Sequence, residues 1–215
     1  MCDAYNKNGA LPVHHQYLPY MNEPQTRDQD KELVKEALQD PQKYSAVVAR
    51  FVSPLSRYVV RLAGLGPDDV QDVLQEVFIK VYRNLNSYNP EMPLSSWVYR
   101  IAHNEAITHL RKVAARPAVS IDSEAGEVIA ATLKSDLDLA SDADAKIVAE
   151  RIQDVVATLP DKYREVIVLR YFEDKDYQEI SDILKKPPGT VATLLSRAKE
   201  RLKKSVSESV VLRSA

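Results

Sequence analysis

The sequence predicts an all-α protein built as two small helical domains joined by an acidic linker. Three observations predict it. The 215 residues hold only five glycines, too few for an all-β fold with many tight turns. Apolar residues recur at helical spacing in the stretches between prolines. Charge is spread unevenly: residues 31–117 carry twelve basic and nine acidic groups, and 146–204 thirteen and ten, each net +3, whereas 118–145 carry seven acidic groups and Lys134, net −6. The overall charge of −2 therefore hides two mildly basic blocks around one acidic segment.

The elements follow in order. Residues 1–28 contain Pro12, Pro19 and Pro24 without an apolar period and read as a flexible tail. The first domain spans 29–117, the linker 118–144, the second domain 145–204 and a C-terminal tail 205–215. Helical pattern starts near Gln29, with Leu33, Val34, Ala37 and Leu38 on one face. A second segment after Pro41 carries Tyr44, Val47, Val48 and Phe51. Ser53-Pro54 then reads as an N-cap with proline at the first helical position. The helix it opens carries Leu55, Tyr58, Val59 and Leu62 and stops at Gly64.

Gly66-Pro67-Asp68-Asp69 opens the clearest helix, its acidic first turn suiting the positive end of the helix dipole. Val70, Val73, Leu74, Val77, Phe78, Val81 and Leu85 form one apolar stripe. The other side holds Asp72, Gln75, Glu76, Arg83 and Ile79. Ile79 reads either as an ordinary exposed apolar residue or as the centre of a partner-binding surface. Asn89-Pro90 and Pro93 break the helical pattern, and Ser95 caps the next helix, which runs to about Arg111. Its apolar face is Trp97, Val98, Ile101, Ala102, Ile107 and Leu110. Helical signal returns at Ile147, Val148, Ile152, Val155, Val156 and Leu159.

Several function classes are excluded or disfavoured. Five scattered glycines cannot build a phosphate loop. The lone Cys2 excludes a disulfide framework and a Cys-rich zinc site. There is no run of apolar residues long enough to span a bilayer and no signal-peptide pattern, so a cytoplasmic protein without membrane insertion is expected. No cofactor or metal is called for. Asp68, Asp69, Asp72 and Glu76 could form a magnesium site, but no second ligand helix is visible and a solvated acidic face is commoner. His14-His15 has no companion ligands, and His103 and His109, six apart, do not share a helix face and read as solvated or packed.

The C-terminal block has a helix-turn-helix pattern. A supporting helix follows Pro160 with Tyr163, Val166, Ile167, Leu169, Arg170 and Tyr171. Asp176 and Glu179 have capping-box spacing ahead of a short helix from Tyr177 to Leu184. Lys186-Pro187-Pro188-Gly189 makes a turn, and Thr190 caps a second helix with Val191, Leu195, Ala198 and Leu202 inward. Such a pair sets its second helix in the DNA major groove, here presenting Thr193, Ser196, Arg197, Lys199, Glu200 and Lys203. A plain helical hairpin with a basic solvated face fits the turn alone as well.

Three strings in order make the pattern specific. Asp68 to Phe78 resembles the helix with which bacterial sigma factors bind RNA polymerase; Leu94 to Asn104, ending Leu110-Arg111-Lys112, resembles the promoter −10 helix that follows it. Leu159-Pro160, Tyr163 to Val166, Tyr177 to Ser181, Gly189-Thr190-Val191 and Ser196 to Leu202 are similar to the −35 domain. Order, spacing and size resemble the extracytoplasmic-function (ECF) type, which keeps sigma domains 2 and 4.

The resemblance implies a non-enzymatic transcription initiation factor whose partners are core RNA polymerase and promoter DNA. An anti-sigma protein is a further common partner. Asp69, Asp72, Gln75, Glu76 and Ile79 would dock on the clamp helices of the largest polymerase subunit. Ser87, Tyr88 and Asn89 would belong to the −10 specificity loop, which captures a flipped nontemplate base. Arg100, Asn104, Arg111 and Lys112, with Arg116, would add DNA contacts beside it. Trp97 could contact DNA, although its place on the apolar face favours packing. Thr190, Thr193, Ser196, Arg197, Lys199 and Lys203 would read the −35 element.

The chain departs from the family at Ala192 and Leu194, where basic residues are frequent; weaker, less salt-sensitive −35 binding is expected, with Lys185 and Lys186 compensating. The alternative is a stand-alone helix-turn-helix regulator, which would bind duplex DNA without polymerase.

Overall fold

The computed structural model describes residues 27–114 and 155–211, with side chains described to residue 204. The expected tails, the acidic linker, Cys2, His14-His15 and Arg116 lie outside the described residues. All regular elements among the described residues are helical. The first block holds α1 (Arg27–Gln39), α2 (Tyr44–Ala63), α3 (Pro67–Asn84) and α4 (Leu94–Ala114). The second holds α5 (Asp161–Ile167), α6 (Tyr177–Leu184) and α7 (Pro188–Val211).

One expected boundary is absent: α2 runs unbroken through Pro54. Proline removes one backbone donor from the helical ladder. Phe51, Leu55, Tyr58, Val59 and Leu62 continue a single buried stripe on both sides of it, so core packing holds the helix together. Gly64 ends α2 in the left-handed conformation (φ 62°), where its N–H donates to Val60. Gly66 caps α3 with Pro67 at its first position, as the sequence predicts.

The start of α4 is capped from a distance. It begins at Leu94, not after Ser95, and the Leu94 N–H donates to Oδ2 of Asp30 at 2.8 Å. Asp30 is a buried acid on α1, and Arg50 Nη2 stands 2.8 Å from its other oxygen. A side chain 64 positions away thus satisfies an orphan donor of the helix N-terminus. Nothing in the local pattern announces this.

The second block packs α5 and α6 against α7. Four successive residues, Val166 to Leu169, are buried. A one-sided helix cannot bury four in a row. Here α5 and the π-helical turn Val168–Phe172 that continues it lie between α7 and α2 of the first block. The two blocks are therefore in direct contact, most extensively where α6 lies on α4.

Candidate polymerase and nucleic-acid interfaces

The acidic side of α3 is open. Asp72, Gln75 and Glu76 are exposed one helical turn apart, opposite the buried Val70, Val73, Val77 and Val81. Ile79 is only partly exposed and stands outside the hydrophobic core cluster. Asp69 is different: its Oδ1 lies 2.9 Å from Nε2 of His109 on α4, so it also ties α3 to its neighbour. An apolar groove beside this face, lined by Val52, Val60, Leu74 and Phe78 among others, extends it toward α2.

The loop between α3 and α4 is held by its own polar groups. Oδ1 of Asn89 accepts from the Glu91 N–H at 3.1 Å, a turn that pins the loop tip. The Tyr88 hydroxyl donates to the Met92 carbonyl at 2.6 Å, and burial pushes this phenol up to about 12. Its ring meets Trp97 edge-on at 5.7 Å. Trp97 is partly buried against the core, which fits the packing reading: it props the loop. Ser87 donates to the Asn84 carbonyl at 2.7 Å. Asn104, Arg111 and Lys112 are exposed along α4.

Arg100 departs from that exposed row. Its Nε donates to the Asp182 carbonyl on α6 at 2.7 Å, so it is engaged inside the molecule. Tyr99 and His103, absent from the apolar face read from sequence, are buried on the same side. The Tyr99 hydroxyl donates to Oε2 of Glu173 at 2.7 Å, and Arg61 Nη1 reaches Oε1 at 3.2 Å. Burial raises the Glu173 carboxyl above its ordinary value, against the opposing pull of Arg61. His103 is pushed down to about 4, first by burial and then by Lys186. Its Nδ1 is hydrogen-bonded to Tyr58 at 3.0 Å, and its Nε2 is 3.9 Å from Glu165.

The helix-turn-helix is built as its sequence predicts, with one change. Asp176 Oδ1 accepts from the Glu179 N–H at 2.8 Å, and Glu179 Oε2 accepts from the Asp176 N–H at 3.0 Å, a complete capping box. Lys185 ends α6 in the left-handed region at φ 51°. The next helix begins at Pro188, so Thr190 lies within its first turn and does not cap it. Proline is pre-set for that position and needs no N–H there.

Val191, Leu195 and Ala198 are buried, and Thr193, Ser196, Arg197, Glu200 and Lys203 are exposed. Lys199 is drawn to the flank: its ammonium stands over the Tyr171 ring at 5.7 Å, and its value is raised, chiefly by a hydrogen bond with Tyr171. Leu194 packs partly on the core, which gives it a role that a basic residue would not fill. Lys186 is paired with Glu165 at 3.2 Å, so it is not the free compensating charge the turn predicts.

Among the described residues no group of three His, Cys, Asp or Glu is placed to hold a metal ion, and no helix is long and apolar enough to cross a membrane.

The described residues thus present an open acidic helix, a pinned loop beside a helix with exposed Arg111 and Lys112, and a helix-turn-helix. Residues 47–116 match Sigma-70 region 2, and residues 149–202 match Sigma-70 region 4. The chain is 33% identical over 174 residues to the ECF RNA polymerase sigma factor SigW of Bacillus subtilis, covering 79% of this chain and 91% of that one. It is 32% identical over 182 residues to the ECF RNA polymerase sigma-E factor of Escherichia coli K12, covering 82% and 94%.

Two solved structures share the fold. One is CnrH in complex with the cytosolic domain of CnrY (TM-score 0.60, 21% identity, covering 83% of this chain and 97% of that one). The other is RpoE with the anti-sigma factor NepR from Bartonella quintana (TM-score 0.58, 18% identity, covering 77% and 98%). The chain belongs to the ECF family of RNA polymerase sigma factors.

Proposed function

We propose that this chain joins core RNA polymerase through the open face of α3 and reads promoters at two places, the −10 element with the 87–93 loop and α4 and the −35 element with α7. It is a transcription initiation factor that directs the polymerase to promoters. Recognition is its part of the work; the phosphodiester bonds are made by the polymerase, so the chain acts in the cytoplasm where that enzyme is.

The observation that carries the reading is the presence of both sigma regions, in order, on one chain. Asp72, Gln75, Glu76 and Ile79 supply the polymerase contact, with Asp69 shared between it and His109. Thr193, Ser196 and Arg197 face the major groove, with Lys203 on phosphate and Lys199 oriented by Tyr171. Thr190 stands at the groove end of α7. An anti-sigma protein would compete for the same α3 and α4 surfaces.

The test is transcription in vitro over fragmented genomic DNA, with core polymerase and with or without the chain, mapping RNA 5′ ends. New starts that share −35 and −10 sequences support the reading; no new starts, with tight duplex binding in the absence of core, would transfer it to a stand-alone regulator. Within α7, Arg197→Ala should weaken −35 recognition by about 1–3 kcal/mol if the guanidinium reads a base edge. Equal transcription from −35 variants would remove Arg197 from that role.

A further inference from the structure

Asp30, in the first turn of α1, belongs to none of the polymerase or promoter surfaces, yet its side chain is only 5% exposed. One oxygen accepts from the Leu94 N–H, and the other stands against Arg50, itself 14% exposed. A buried ion pair adds little net stability, because lost hydration offsets the attraction. What this pair supplies is direction. The planar guanidinium holds one carboxylate oxygen, and the second is thereby aimed at the start of α4.

That start is also the end of the 87–93 loop. The loop is tied on its near side by Ser87, which donates to the Asn84 carbonyl, and by the Tyr88 N–H, which donates to the Leu85 carbonyl at 3.2 Å. Across its middle, the Tyr88 hydroxyl on the Met92 carbonyl closes a ring around the exposed Asn89 and Pro90. On the far side, Leu94 is fully buried and its N–H is held by Asp30. After burial, the Asp30 charge is the next cause that raises the Tyr88 phenol, and Arg50 opposes it, so the pair lies close beneath the loop. A recognition site of this kind needs its groups held to within about 0.5 Å. Freedom at Leu94 becomes displacement at the Asn89 tip.

We infer that Asp30, aimed by Arg50, is a positioning residue for −10 recognition: by fixing Leu94 it sets where the 87–93 loop stands, and so which base the loop accepts, from inside the protein. The inference rests on the promoter reading of the preceding subsection. Selectivity at −10 thus depends on a side chain 64 positions from the residue it holds.

The experiment compares two full-length chains that both lack the buried charges and differ in one acceptor. Asp30→Asn with Arg50→Met keeps an oxygen for the Leu94 N–H; Asp30→Ala with Arg50→Met does not. Removing both partners of a buried pair avoids an orphaned charge, so both chains should fold. If the second does not, Asp30→Ser with Arg50→Met replaces it, since the hydroxyl stops one bond short of Leu94. The readout is the ratio of transcription, with core polymerase, from a promoter found as above to transcription from versions with single-base changes in its −10 element. The chain without the acceptor should lose about tenfold of this ratio, the size of one base-edge contact. The chain with it should stay within about twofold of wild type. Affinity for core and for a −35 duplex should be unchanged in both. Trp97, the only tryptophan in the sequence, meets Tyr88 edge-on, so its emission in the free chain should shift only when the acceptor is missing.

Equal ratios in the two chains overturn the inference. So does a loss that core affinity and −35 affinity share in proportion, which is loss of folded protein. Failure of the promoter reading looks different: wild type itself would make no promoter-dependent RNA.

Discussion

α3 and α4 are neighbours in one block, of similar length, and each begins as an amphipathic pattern, yet they end in opposite situations. α3 buries one stripe and leaves Asp72, Gln75 and Glu76 in water. α4 buries Val98, Ala102 and Ala106, and also Ser96, Tyr99 and His103, because α6 covers a second side. The difference teaches that a polar residue at a helical position is a surface residue only until another part of the chain arrives. An uncovered polar side stays in water; a covered one becomes a network of buried hydrogen bonds in which each member depends on the others.

The comparison can be broken at its strongest point first. Asp30→Ala removes the remote cap of α4 and leaves Arg50 beside no carboxylate in the interior. It should cost about 3–5 kcal/mol in urea unfolding followed by circular dichroism, as loss of one member of a buried pair does. A loss under about 1 kcal/mol would mean that α4 does not need this cap.

On the open helix the effect should appear in binding and not in folding. Ile79→Glu should weaken core-polymerase affinity by about 2 kcal/mol or more, the size of an interface hot spot. Its unfolding midpoint should stay close to wild type, since Ile79 is outside the core cluster. Native affinity in a pull-down with core would remove α3 from the interface.

On the covered helix a smaller change should still register in folding. Tyr99→Phe keeps the ring and deletes the hydroxyl that donates to Glu173, with an expected loss of about 1.5–3 kcal/mol for a hydrogen bond to a charged group. A silent Tyr99→Phe would show that this hydrogen bond contributes nothing to stability.

The most gradual effect is in pH dependence. Folded His103 has its value lowered to about 4, below the ordinary 6.5, so between those values the unfolded chain binds more protons. The stability it contributes is fully present above pH 6.5 and is lost as pH falls toward 4. Its neighbours across the packing are Tyr58, Glu165 and Lys186. His103→Gln should remove up to about 1.4 kcal/mol per pH unit of acid sensitivity in that window, measured as the difference in melting-temperature slope from wild type. Identical slopes would place His103 in water.

Most of the helices were legible because their signals are local. The capping box at Asp176 and Glu179, the glycine stop at Gly64 and the Pro67 start depend on residues a few positions apart. The exposed residues on α3 were legible as a face, since 100° per residue sorts them without knowledge of the rest of the chain. Pro54 misled because local propensity alone ends a helix there, whereas the buried stripe on either side carries it through. Thr190 misled because a threonine before an apolar run suits a cap, while Pro188 had already opened the helix.

The sequence by itself determined the all-helical class, the two blocks, the acidic face of α3 and the outward face of α7, because helix periodicity, caps and charge act over short separations. Only the tertiary structure decided that Asp30 caps α4, that Tyr99 and His103 are interior, that Arg100 is held by α6 and that Lys186 belongs to Glu165. Each of these joins residues more than twenty positions apart. Burial and hydrogen-bond pairing at such separations depend on which surfaces meet when the chain closes on itself, and no local pattern of residues encodes that.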